Sequence, residues 1–220
     1  MAVTDESLIR EVDEEVRQEE YKKLWDRYGT AFTALAVLIV LAVGGFEGWK
    51  YWQRQQAEQA SVVYLDAARK AAENKFDDAL AALAAVKQDG FGQLAKLTEA
   101  AVLAEKGDSA KALEIYKAFA AAPGSDPTLA DLAAIRAGYL QVDTATPDEL
   151  LTSLGKYDRD GNVWRHAARE IFGLSAYRIK DYAMADRYMN SLFADPETPD
   201  AMRQRAQAMI QLITPELDKK

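Results

Sequence analysis

Apolar and polar positions alternate with a helical period through most of this chain, and the pattern breaks once. Between Arg27 and Glu47 the run from Tyr28 to Phe46 holds 19 residues without a charge. As a helix it measures about 28 Å at roughly 1.5 Å per residue, close to the ~30 Å hydrocarbon core of a bilayer. A buried core helix of that length normally keeps a polar face, and this run offers only Thr30 and Thr33 near its start. Tyr21, Trp25 and Tyr28 flank it on one side, and Trp49, Tyr51 and Trp52 on the other. Those are positions where rings rest among lipid headgroups. The run starts late for a signal peptide and is followed by bulky Phe46-Glu47-Gly48-Trp49, not a small-residue cleavage site. The pattern predicts an uncleaved anchor: a helical tail over 1–28, a transmembrane helix over 29–48 and a body over 49–220.

In the body the apolar spacing is three and four, alanine is abundant and β-branched runs are absent, so the expected class is all-α. Glycine and proline fall between segments, at Asp89-Gly90, Pro123-Gly124 with Pro127, Thr146-Pro147, Asp160-Gly161, Pro196 and Pro199. They leave helices near 54–73, 76–87, 91–106, 108–121, 127–141, 147–156, 163–179, 182–194 and 199–212.

These helices recur in a frame. Ala79, Ala112 and Ala185 each precede apolar residues four and seven positions on, and a degenerate copy places Leu150 there. Twelve residues before them stand Ala67, Ala100, Gly173 and, in the degenerate copy, Gly138. Successive copies are 33, 38 and 35 residues apart. This resembles the 34-residue tetratricopeptide repeat, in which small residues let paired helices approach. An N-terminal transmembrane helix followed by a tetratricopeptide-repeat-like solenoid of helical hairpins is therefore expected. The helix near 199–212 would cap its open end.

Charge sets the orientation. The 20 residues before the run carry five Lys and Arg, and the 20 after it carry two, Lys50 and Arg54. That asymmetry keeps the tail in the cytoplasm and sends the body across the membrane, although the tail also holds nine acids. Leu8, Val12 and Val16 recur every four residues in the tail and give it a narrow apolar stripe for a partner. From Gln53 onward there are 21 basic and 25 acidic side chains, a mixture unlike the dense basic face that nucleic acid requires.

Catalytic constellations are missing. There is no Cys and a single His, His166, expected on the surface or in a groove, so no zinc site or Ser-His-acid set can be built. There is no glycine-rich phosphate loop either; Gly44-Gly45 lies inside the span. The pairs Asp77-Asp78 and Asp148-Glu149 occupy first helical turns, where carboxylates favour the macrodipole. No enzyme, cofactor or small-molecule substrate is expected.

The tail, the anchor, the run Gly48-Trp49-Lys50-Tyr51-Trp52-Gln53 and the alanine-rich repeats together resemble the YfgM-like ancillary subunits of the bacterial Sec translocon. The stretch Glu11 to Gly29 is similar to the tail of alphaproteobacterial members. The resemblance implies an inner-membrane protein with a periplasmic repeat domain, whose partners are the Sec translocon and the periplasmic chaperones that receive secreted chains. A scaffold in envelope assembly or cell division would use the same parts. In the repeat frame Tyr64, Leu97, Ile135, Tyr139, Tyr177 and Arg178 are expected to line the concave face, where such proteins bind partners. Leu97 and Ile135 are equally suited to burial between repeats.

Overall fold

The computed structural model describes residues 3–87 and 91–219, with side chains from Tyr21 onward, Leu24 excepted. The side chains of the Leu8, Val12 and Val16 stripe and the Asp89-Gly90 break lie outside what is described. Among the described residues there is no strand. The helices are α1 Val3–Ala72, α2 Phe76–Leu83, α3 Phe91–Lys106, α4 Ser109–Ala121, α5 Pro127–Gln141, α6 Pro147–Leu154, α7 Arg165–Arg178, α8 Tyr182–Ala194 and α9 Asp200–Leu217. A 3₁₀ turn, Gly155–Tyr157, follows α6. The chain divides into two compact units, one ending at Glu58 and one from Gln59 to Lys220.

The first unit is helical over its described residues. The tail, the apolar run and the helix expected from 54 are not separate pieces: α1 passes through all three. The sequence offers no proline before Pro123, and single glycines at about 1 kcal/mol each do not break a long run of good helix formers. Its apolar side chains point outward, Val40 at 70% and Leu41 at 69% exposure. The Thr33 hydroxyl donates to the Gly29 carbonyl at 2.8 Å, so this polar group is satisfied within the helix.

The second unit is a row of helix pairs, the last part of α1 with α2, α3 with α4, α5 with α6 and α7 with α8, followed by α9. Their turns repeat one solution. Asn74, Gly107 and Lys180 adopt the left-handed conformation, each seven residues after Ala67, Ala100 and Gly173. The next residue is the N-cap of the second helix: Lys75, Asp108 and Asp181. The aspartates accept from backbone N–H groups of the first turn, Lys111 at 3.3 Å and Met184 at 3.0 Å. The degenerate pair keeps the position but changes the device. There Thr146 caps α6 in a capping box with Glu149, and no left-handed residue precedes it.

The small residues meet as the frame requires. Ala67, Ala79, Ala100, Ala112 and Ala185 have no exposed surface. In the degenerate pair α6 brings Leu150 and Leu154, and α5 answers with Gly138: a Cβ there would lie 2.5 Å from Leu154 Cδ1. Each core cluster joins one pair to the first helix of the next. The first runs from Ala60 to Val102, the second from Leu97 to Ala137, the third from Ile135 to Tyr188 and the fourth from Ala176 to Ile213. Leu97 and Ile135, at 7% and 2% exposure, belong to these clusters and not to a groove.

Three boundaries differ from expectation. The second helix stops at Leu83, and α6 tightens into the 3₁₀ turn after Leu154. The last helix continues through Pro215 to Leu217. Proline removes one N–H near the helix end, where the carbonyl of exposed Gln211 can turn to water.

Candidate functional site

Three first helices, α5, α7 and α9, share one register. Gly138, Gly173 and Ala208 are 35 residues apart, and so are Tyr139, Leu174 and Met209, and Ile135, Glu170 and Arg205. The helix expected as a cap therefore continues the frame as a fifth first helix. Between these helices lies an open cavity of about 560 Å³ lined by Tyr139, Glu170, Leu174, Arg205, Ala208 and Met209, with Met189 of α8. Its lining is mostly apolar, and its polar groups are gathered at one place.

That place is the carboxylate of Glu170, which is buried. The Tyr139 hydroxyl donates to its Oε2 at 2.6 Å. Arg205 donates from Nε to Oε1 at 2.7 Å and from Nη2 to Oε2 at 3.0 Å, a two-point grip suited to the planar guanidinium. Burial, and then the neighbouring carboxylate, push the Tyr139 phenol well above its ordinary range, so it stays a donor at every physiological pH.

The other expected groove residues sit apart from this cavity or beside it. The Tyr64 hydroxyl shares a hydrogen bond with Thr98 Oγ1 at 3.1 Å, and its ring lies 6.0 Å from Phe91. Tyr177 stands edge-on to Tyr182 at 5.8 Å and packs against the fourth cluster with Leu174 and Met209. Arg178 is exposed, and its Nη2 donates to the Ala145 carbonyl, holding the α5–α6 connection. Glu170, Leu174, Met189, Arg205 and Met209 were not expected here. The 35-residue spacing counted from Ile135 and Tyr139 is the signal that finds Glu170 and Leu174 and, carried past residue 185, Arg205 and Met209.

His166 is a correction. It is buried at 7% exposure, and its Nε2 lies 3.0 Å from Asp195 Oδ2. The same carboxylate accepts from Arg165 Nε at 3.1 Å and, through Oδ1, from the backbone N–H of Glu197 at 2.9 Å. Arg169 Nη1 is 3.7 Å away and its Nε donates to Asp158 at 2.6 Å. The Glu197 N–H first, and Arg165 next, hold Asp195 well below the usual carboxylate range. The lone histidine ties the start of α7 to the loop after α8. Among the described residues no group of His, Asp and Glu can hold a metal ion.

A family model described as a tetratricopeptide repeat-like domain matches residues 22–185. The chain belongs to that family. The match takes in the apolar run as well as the four helix pairs up to the start of α8. No curated protein and no solved structure matches the chain. Tetratricopeptide repeat-like domains are typically non-enzymatic and act as protein–protein interaction modules.

Proposed function

We propose that this protein is a single-pass inner-membrane protein whose repeat-like body, residues 49–220, works as an interaction module on the periplasmic side, beside the Sec translocon. There it helps pass secreted chains to periplasmic chaperones. The observation that carries the reading is the joining, within one family match, of an apolar helix long enough to cross a bilayer to a repeat-like body. The Lys and Arg asymmetry across that helix supports the orientation, and the resemblance of the tail and aromatic run supports the translocon.

The reading is tested by crosslinking the intact protein in its own membrane and identifying what co-purifies. Translocon subunits and periplasmic chaperones are the expected partners. Division or envelope-assembly proteins in their place would reassign the module to a scaffold. The orientation has its own check: a reporter active only in the periplasm, fused after Lys220, is expected to be on. Activity confined to a cytoplasmic reporter at that site would refute the orientation.

Tyr64, Tyr139, Tyr177 and Arg178 are proposed as partner contacts. Tyr139→Ala and Tyr177→Ala are each expected to weaken partner capture by about 1–2 kcal/mol. The helical circular-dichroism signal should stay unchanged; its loss would make them core residues, and unaltered capture would move the contact elsewhere.

A further inference from the structure

The cavity between α5, α7 and α9 has a chemistry of its own. Four of its lining residues, Met189, Arg205, Ala208 and Met209, lie beyond residue 185, where the family match ends. Its walls are Leu174 and two methionines, whose flexible thioethers adapt to varied shapes and favour contact with aromatic rings. Its volume of about 560 Å³ exceeds that of any single side chain, so a large ring enters without rearrangement. The cavity is an open depression and not a tunnel; a long acyl chain laid in it would keep one side wet.

The charge at its mouth is directional. Glu170 spends both oxygens on Tyr139 and Arg205. Arg205 is half-exposed, with its side chain at 55%, and its Nη1 has no partner among the described residues. The mouth of this apolar cavity thus keeps unpaired N–H donors of the half-exposed Arg205 guanidinium for an incoming acceptor.

We propose that this cavity is a docking site for an extended polypeptide segment: it takes one bulky aromatic or aliphatic side chain, and Arg205 holds an acidic residue next to it. The proposal rests on the interaction-module reading and adds what the module selects. An extended segment alternates its side chains, so one can enter the cavity while a neighbour reaches the rim.

The test uses the full chain in nanodiscs of zwitterionic lipid and three fluorescent decapeptides read by anisotropy. One carries a central Trp flanked by Asp, one the same Trp flanked by Lys, and one a Ser flanked by Asp. The first is expected to bind at least tenfold more tightly than the other two. Ala208→Phe, which fills the cavity from an exposed position on α9, should weaken that binding at least tenfold. Arg205→Gln should remove the preference for Asp over Lys. If that variant loses its helical signal, Glu170→Gln tests the same charge in the opposite sense and should strengthen binding of the Asp peptide. Equal binding of the three peptides, or an Ala208→Phe protein that binds as before, overturns the proposal. So does oleate that displaces nothing in competition yet binds in an Ala208→Phe-sensitive way, which would assign the cavity to lipid. Such a failure alongside co-purified translocon subunits would remove the cavity's role and leave the module's function standing.

Discussion

Gly138→Leu is expected to destabilise the body by about 3 kcal/mol, and the matched change Gly155→Ala by nothing measurable. A Cβ on Gly138 would lie 2.5 Å from Leu154 Cδ1 and 3.0 Å from Ile171 Cδ1. Both neighbours are held in the third cluster, Leu154 at 2% and Ile171 at 0% exposure, so neither has a free rotamer to take. Helix propensity recovers about 1 kcal/mol when glycine is replaced, and the three further carbons of leucine outweigh it. Gly155 has helical backbone and no atom within 4 Å of its would-be Cβ, so alanine enters freely there. Thermal unfolding of the two variants decides the matter. Equal midpoints would show that α5 and α6 do not meet at Gly138.

Asp195→Asn is expected to lower the melting temperature by about 5 °C at pH 7. The loss comes from one carboxylate that serves Arg165, His166 and the Glu197 N–H together. The size is set below that of a fully buried ion pair because Arg165 keeps Glu197 and Arg169 keeps Asp158. The pH dependence has a definite sign. The folded protein holds Asp195 below its ordinary range, so its stabilisation is present above the unfolded value, about 3.9, and is lost as pH falls toward the folded one. The gap between wild type and variant should therefore narrow as pH falls below about 4. A gap of the same size at pH 3 and lower would mean that the carboxylate's charge is not its source.

The repeat frame was legible because it is written in small residues. Alanine or glycine twelve positions apart is a direct consequence of two helices touching, and Ala67, Ala79, Ala100, Ala112, Gly173 and Ala185 all lie at such contacts. The starts of three second helices were legible for a similar reason, since Asp108, Thr146 and Asp181 cap in the same register. His166 was misread because a polar residue on a helix ordinarily faces water, and its partner Asp195 stands 29 residues away, beyond any local pattern. The cavity's lining was named only at one residue. Tyr139 was named among the expected groove residues, while Glu170 and Arg205 were not singled out. Their pairing depends on α9 continuing the 35-residue frame, which the small residues at 67 to 185 alone do not reveal.

The succession of core clusters bears on how the body acquires its structure. Each cluster closes from residues near one another along the chain, the widest being the one from Ile135 to Tyr188. Contacts of such short sequence separation lower the entropic barrier to folding and favour rapid collapse. A polypeptide delivered N-terminus first can finish the cluster from Ala60 to Val102 before α5 has emerged, and each later cluster then adds one pair onto a finished surface. Apolar faces are covered about as fast as they arrive, which leaves few exposed long enough to aggregate.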